Sequence, residues 1–143
     1  CGKAKPNTMT IGWGGPQIYW GKPIFIVPVR HSRFSYNLLQ AHNEFTVSVP
    51  APNDPTLNQA LGICGTKSGR DTDKYALAKL ELVAGKEVSV PVIGGCEYYF
   101  ECRTIYQQDL ISALMPADVI RTCYPDGDVH RLFFGEIVAC YKK

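Results

Sequence analysis

Pro23-Ile24-Phe25-Ile26-Val27-Pro28-Val29-Arg30-His31-Ser32-Arg33-Phe34-Ser35-Tyr36-Asn37-Leu38-Leu39 holds the transition on which the fold turns. The first part is apolar and largely β-branched, the composition of a buried strand. It breaks at hydroxyls and guanidiniums, and an amphipathic helix is expected from Ser32 to about His42, burying Leu38 and Leu39. Ser32 reads as its N-cap, because a serine there accepts from the free N–H groups of the first turn. Those groups carry partial positive charge, and Arg30 and Arg33 flank them with forked donors suited to phosphate oxygens. A strand that delivers Arg-x-Ser-Arg-x-Ser to a helix start is a candidate phosphate seat. The ordinary alternative is a capped helix with solvated arginines. Strand register decides which arginine meets a ligand, so Arg30 and Arg33 both stay open.

Working outward, Thr8 to Trp13 reads as a first strand ended by the turn cluster Gly14-Gly15-Pro16. Phe45-Thr46-Val47-Ser48-Val49 alternates and stops at Pro50, a third strand. Asp54-Pro55 caps and opens a helix running to Ile63, and Asp71 can cap another short helix reaching Leu80. Leu80–Val83 and Val88–Val90 form a hairpin about Ala84-Gly85-Lys86. The longest strand is expected over Cys96–Gln107. Cys96, Tyr98, Phe100, Cys102, Thr104 and Tyr106 share its dry face, while Glu97, Glu101, Arg103 and Gln107 share the wet one. Pro116–Cys123 is a short helix, Pro125-Asp126-Gly127-Asp128 a turn, and His130–Tyr141 a closing strand. Short strands with helices between them predict a single, mainly β domain with short helices, a small barrel carrying helical insertions.

At 143 residues, one domain can bury roughly 68% of its unfolded surface. An apolar share of 45% and a charged share of 20% are those of a globular chain. The net charge of +2, with 15 scattered basic residues, argues against nucleic acid. No apolar run approaches the roughly 20 residues of a membrane helix, and no signal peptide is evident. The six cysteines (Cys1, Cys64, Cys96, Cys102, Cys123, Cys140) form no Cys-x-x-Cys pair and no zinc-spaced set with histidine. No metal site is expected; reduced thiols in a cytoplasmic protein are.

Three further clusters could carry chemistry. Asn7-Thr8-Met9-Thr10 sets small polar groups beside a strand edge, followed by Trp13, an arrangement suited to a flat heterocycle. Cys64-Gly65-Thr66-Lys67-Ser68-Gly69-Arg70-Asp71 is a glycine-rich stretch with hydroxyls and cations, although its spacing is not that of a P-loop. His130 stands at a strand mouth, where an imidazole can bond a ligand or carry a proton. A plain strand, a surface loop and a half-exposed histidine are the ordinary readings of each.

Taken in order, these segments resemble the flavin reductase-like family, the FMN-binding split barrels that include flavoredoxins and NAD(P)H:flavin oxidoreductases. The matching pieces are Asn7–Trp13, Gly21–Val27 with Arg30-His31-Ser32-Arg33-Phe34-Ser35, Glu44–Pro50, Cys64–Lys74 and Gly127–Arg131. The resemblance implies an FMN-binding split β-barrel and places Thr8, Met9, Thr10 and Trp13 beside the isoalloxazine. It puts the FMN phosphate and ribityl chain at Arg30, His31, Ser32, Arg33 and Ser35, with Gly65, Thr66, Lys67 and Ser68 over the flavin's polar edge or phosphate. His130 would be the catalytic residue near the ring. Family members usually carry a strand ahead of the Met-Thr segment, so the first barrel strand is expected to be missing from a chain that opens Cys1-Gly2-Lys3. The implied activity is hydride transfer from NADH or NADPH to FMN, with a small-molecule or protein electron acceptor. Gly12-Trp13-Gly14-Gly15 lacks the dinucleotide fingerprint, so a nicotinamide would use the cofactor face. A flavoredoxin-like electron carrier without NAD(P)H activity, or a flavin-free binding module, are the alternatives. A homodimer is expected, since Tyr98, Phe100, Phe133 and Phe134 exceed the needs of one small core.

Overall fold

The computed structural model describes residues 5–143. Five antiparallel strands form one sheet in the order β1-β2-β7-β6-β3: β1 is Gly15–Tyr19, β2 Lys22–Arg30, β3 Glu44–Val49, β6 Tyr98–Asp109 and β7 His130–Lys142. A separate pair, β4 (Leu82–Val83) and β5 (Val92–Ile93), lies between β3 and β6 in sequence. The helices are α1 (Phe34–Ala41), α2 (Pro55–Thr66), α3 (Lys74–Leu77) and α4 (Ala117–Cys123), with a 3-10 turn at Ser112–Leu114. The fold is thus mainly β with short helices, and β1 and β3 remain the unjoined edges of the five-stranded sheet.

The core is the inner face of that sheet. Phe25, Val27 and Val29 of β2 alternate onto it and meet Phe133 of β7, Cys102 of β6 and Phe45 of β3. Leu39 and Tyr36 of α1, with Met9 and Ile11 of the leading segment, cover it. Phe25 lies opposite Gly135 in register, and the Phe45 ring packs onto the space above that glycine. A Cβ on Gly135 would press into the Phe45 ring and stand 2.8 Å from the Cys102 Cβ. Gly135→Ala should therefore destabilise the protein by about 1–3 kcal/mol through overpacking, read as a lowered urea midpoint. An unchanged midpoint would show that Phe45 moves aside freely.

Several expectations need correction. Thr8–Trp13 joins no ladder and bends at Gly12 and Trp13, and the strand begins at Gly15, within the expected turn. The hairpin turn lies instead at Trp20-Gly21, both at positive φ (53° and 69°), the two-residue geometry whose twist suits flanking strands. Helix α1 starts at Phe34 with Arg33, not Ser32, as N-cap, because the Ser32 hydroxyl bonds Asp128 instead. Helix α2 opens as expected, with Asp54 accepting from the Leu57 N–H, but continues to Thr66 and takes in Cys64, Gly65 and Thr66 of the glycine-rich stretch. Asp73 rather than Asp71 caps α3. The second hairpin pairs Leu82–Val83 with Val92–Ile93, leaving a longer loop than the sequence suggested. In β6 the dry and wet faces do not hold, since register shifts follow Glu101 and Thr104 and Glu101 is wholly buried. Phe133 and Phe134 belong to the interior, while the exposed aromatics are Trp13, Tyr19, Trp20, Tyr98 and Tyr106. The five described cysteines are all unpaired; Cys1 lies outside the described residues.

Candidate functional site

A cavity of about 270 Å³ opens where the 7–13 segment, the end of β2, the start of α1 and the end of α2 converge. Five cations line it, Arg30, Arg33, Lys67, Arg70 and Lys74, together with His130. No Asp or Glu is among the lining residues. A pocket lined by cations with no carboxylate in its lining favours an anion.

The cations are not equivalent. Arg30 donates through Nη1 to the Asp128 carbonyl (3.0 Å) and through Nη2 to the Cys123 carbonyl (2.8 Å). Its guanidinium also lies 5.0 Å from the centre of the Tyr124 ring, so it clamps the turn that leads into β7. Arg70 donates to the Ser32 carbonyl (3.2 Å) and rests over Phe34. Arg33, at the N-cap of α1, has no side-chain partner among the described residues. Ser32 gives both its N–H (3.2 Å) and its hydroxyl (2.6 Å) to the Asp128 carboxylate. Burial would raise the Asp128 carboxyl, but these two bonds outweigh it and hold the group below its usual range.

The predicted site residues divide accordingly. Met9, Thr10, Trp13, Arg30, Arg33, Ser35, Gly65, Thr66, Lys67, Ser68 and His130 come together around the cavity. Thr8 does not; it lines a neighbouring apolar cleft of about 870 Å³ between the sheet and helices α1 and α2. His31 points elsewhere, its Nε2 2.8 Å from Asp109 Oδ1 and its ring 4.7 Å from that of Tyr36. Ser32 is absent from the lining for the reason given above. Gly65 and Thr66 end α2 rather than forming a loop, and the Thr66 hydroxyl bonds back to the Gly62 carbonyl at 2.8 Å. Ser35 accepts from the Asn7 amide (2.8 Å), tying the leading segment to the first turn of α1.

His130 sits against Trp13, ring centroids 4.9 Å apart, and its Nδ1 is 2.8 Å from the Tyr124 hydroxyl. Burial, then the nearby Arg30 charge, pushes the imidazole below its ordinary pKa, so it is neutral near pH 7. Sequence reasoning missed Lys74, Arg70, Asn7 and Tyr124 as site residues. Asn7, Arg70 and Lys74 stood inside quoted segments, but nothing in their spacing marks which way they turn. Tyr124 carries no signal in the sequence at all.

An antiparallel sheet with a cation-lined pocket at the head of α1 is an arrangement suited to an anionic ligand. Residues 1–143 match the profile of the family described as "Flavin reductase like domain", and the chain belongs to that family. An uncharacterized protein of Archaeoglobus fulgidus is 32% identical over 137 residues, covering 96% of this chain and 66% of its own length. The flavoredoxin of Desulfovibrio vulgaris (Miyazaki F) superposes with a TM-score of 0.74 at 23% identity, over 96% of this chain and 62% of that one. An NADH:FAD oxidoreductase of Streptomyces globisporus does so with a TM-score of 0.73 at 20% identity, over 99% and 71%. The chain thus spans about two thirds of the length of these relatives. The fold is that of the flavin reductases, and the family gives the chain a flavin-related function. No described helix is long and apolar enough to cross a membrane, and no described cluster of His, Cys, Asp or Glu suits a metal.

Proposed function

We propose that this protein binds FMN non-covalently in the cation-lined cavity and works as an NAD(P)H-dependent flavin reductase. One observation carries the reading: five cations and a histidine line the pocket, and no carboxylate is among its lining residues. The residues present fit a phosphorylated planar ligand. Arg33 and the first-turn N–H groups of α1 take the phosphate, with Lys67 and Ser68 closing over it. Trp13 walls the flat rings on one side. His130, held at Nδ1 by Tyr124, keeps Nε2 for the ligand and supplies a hydrogen bond without a full charge. The chemistry gained there is the flavin's own, hydride in at N5 from a reduced nicotinamide and electrons out to a small-molecule or protein acceptor.

A homodimer is part of the proposal. Ile18 (73% exposed), Trp20 (60%), Tyr19 and Tyr106 form an apolar surface around the tip of the β1–β2 hairpin. A two-fold copy covering that surface would bury it, and light scattering of the flavin-loaded protein at micromolar concentration reads the mass.

The purified protein should be yellow and bind FMN more tightly than riboflavin, measured by quenching of flavin fluorescence. Mixing with NADH or NADPH under nitrogen should bleach the flavin absorbance. Bound flavin that neither nucleotide bleaches would favour the electron carrier. Equal affinity for FMN and riboflavin would remove the phosphate from the account.

A further inference from the structure

We infer that Tyr124 is a positioning residue whose hydroxyl donates to Nδ1 of His130 and so fixes the imidazole with its proton on Nε2, a hydrogen-bond donor into the cavity. The ligand atom that meets it is then an acceptor, a carbonyl oxygen or an unprotonated ring nitrogen, and not an N–H edge. The inference rests on the flavin reading for the identity of that ligand, but on the protein alone for the direction of the hydrogen bond.

Different elements hold the two groups: Tyr124 is the C-cap of α4, and His130 opens β7 six positions later. The hydroxyl lies 2.8 Å from Nδ1, and the rings stand edge to face with centroids 5.6 Å apart. Tyr124 is 3% exposed, and among the described residues its hydroxyl bonds nothing but this nitrogen. Burial pushes the phenol up, so it holds its proton. A neutral imidazole has one donor and one acceptor nitrogen. Were Nδ1 the donor, the phenol proton would be buried without an acceptor, which is costly. Donation from the hydroxyl to Nδ1 leaves neither group unpaired, and Nε2 keeps the hydrogen. The charged groups facing the imidazole are the Arg30 guanidinium of β2, the Arg33 guanidinium at the head of α1 and the Asp128 carboxylate of the turn. Asp128 is engaged by Ser32, and burial with the two cations keeps the ring neutral, the state that has a tautomer to fix. Trp13 adds packing without charge. Arg30, 5.0 Å from the Tyr124 ring centre and bonded to the Cys123 carbonyl, steadies the phenol in turn.

Nε2 has no partner among the described residues, and the imidazole lines the cavity. An N–H set in place before binding asks little reorganisation of a ligand that brings an acceptor. The same N–H rejects a donor edge, where two protons would meet. The isoalloxazine edge that carries carbonyl oxygens satisfies the site. An imidazole without the phenol would sample both tautomers, and the ligand would bind only the fraction with Nε2 protonated.

Long-range proton–nitrogen correlation spectra of the ligand-free protein, labelled in its histidines, read the tautomer directly. The His130 signal is the one absent from His130→Gln. With the ring neutral, the parent should show Nε2 protonated and Nδ1 bare; a protonated Nδ1 overturns the proposal. Tyr124→Phe keeps the aromatic ring and its Arg30 contact but removes the donor, so the signal should move toward a mixture of the two tautomers. A signal equal to the parent's overturns the role of Tyr124. Titration with FMN completes the test. Tyr124→Phe should weaken binding about three- to tenfold in the parent and change nothing further in His130→Gln, where no imidazole is left to orient. Equal losses in both backgrounds would make Tyr124 a structural residue and overturn the proposal, as would no loss in either. A parent that binds no FMN removes the flavin reading alone, and the tautomer spectra then decide the inference by themselves.

Discussion

Arg33→Ala weakens FMN binding by about one to two powers of ten and leaves riboflavin affinity where it was. Arg33 stands at the N-cap of α1, where no side chain caps the first turn and only the Tyr36 N–H is taken, by the Arg33 carbonyl at 3.0 Å. Its guanidinium lines the cavity without a partner, so its donors are available to a phosphate at little cost in rearrangement. Arg30 makes the opposite forecast. It already holds the carbonyls of Cys123 and Asp128, and Arg30→Ala would release both along with its contact to Tyr124. That loss appears as stability, roughly 1.5–3 kcal/mol, and weakens FMN and riboflavin alike by loosening the turn that positions His130. The two alanine variants, titrated with both flavins, separate a ligand from a clamp. Parent-like FMN affinity in Arg33→Ala would move the phosphate toward Lys67 and Ser68.

The Arg-x-Ser-Arg-x-Ser segment also shows how far the sequence can be read. The change from strand to helix was legible because β-branched residues give way to helix formers within a few positions. The partner of each polar side chain was not. Asp128 lies 96 positions from Ser32, yet it takes the hydroxyl that looked like a helix cap. Likewise Thr8 to Trp13 has a strand's composition, but its place beside α1 and the pocket leaves it no neighbour to pair with. Lys74 is hidden by a different cause. A lysine just past a capping aspartate reads as a solvated helix start, and only the packing of α2 and α3 turns it inward. Local pattern thus located the pocket, and long-range contacts decided which of its residues are free to bind.

Glu101 is the sharpest case, and replacing it should cost more stability than any other single change considered. The alternation of β6 sets it among solvated residues, but its side chain is 0% exposed. The loop between β4 and β5 folds over it, and the carboxylate accepts the N–H groups of Lys86 (2.7 Å), Glu87 (2.7 Å) and Val88 (3.0 Å). The Tyr141 hydroxyl donates as well, at 2.7 Å, beneath the Lys86 ammonium that lies 3.8 Å from its ring centre. Burial alone would raise the Glu101 carboxyl, but these four donors outweigh it and hold the group below the ordinary glutamate range. Glu101→Ala leaves them without their charged acceptor and should lower stability by on the order of 4 kcal/mol. Glu101→Gln keeps the volume but turns one acceptor into a donor facing donors, so it too should be destabilised, by less. The pH dependence carries a sign. A carboxyl depressed in the folded state contributes stability that is present above its unfolded pKa and is lost as the pH falls through the folded value. Urea unfolding of the parent should therefore weaken across that acid window, whereas Glu101→Gln should be flatter there. Glu101 lines neither cavity, so flavin affinity of the folded variants should match the parent's. A loss of under about 1 kcal/mol in Glu101→Ala would mean that water replaces the carboxylate and the loop does not depend on it.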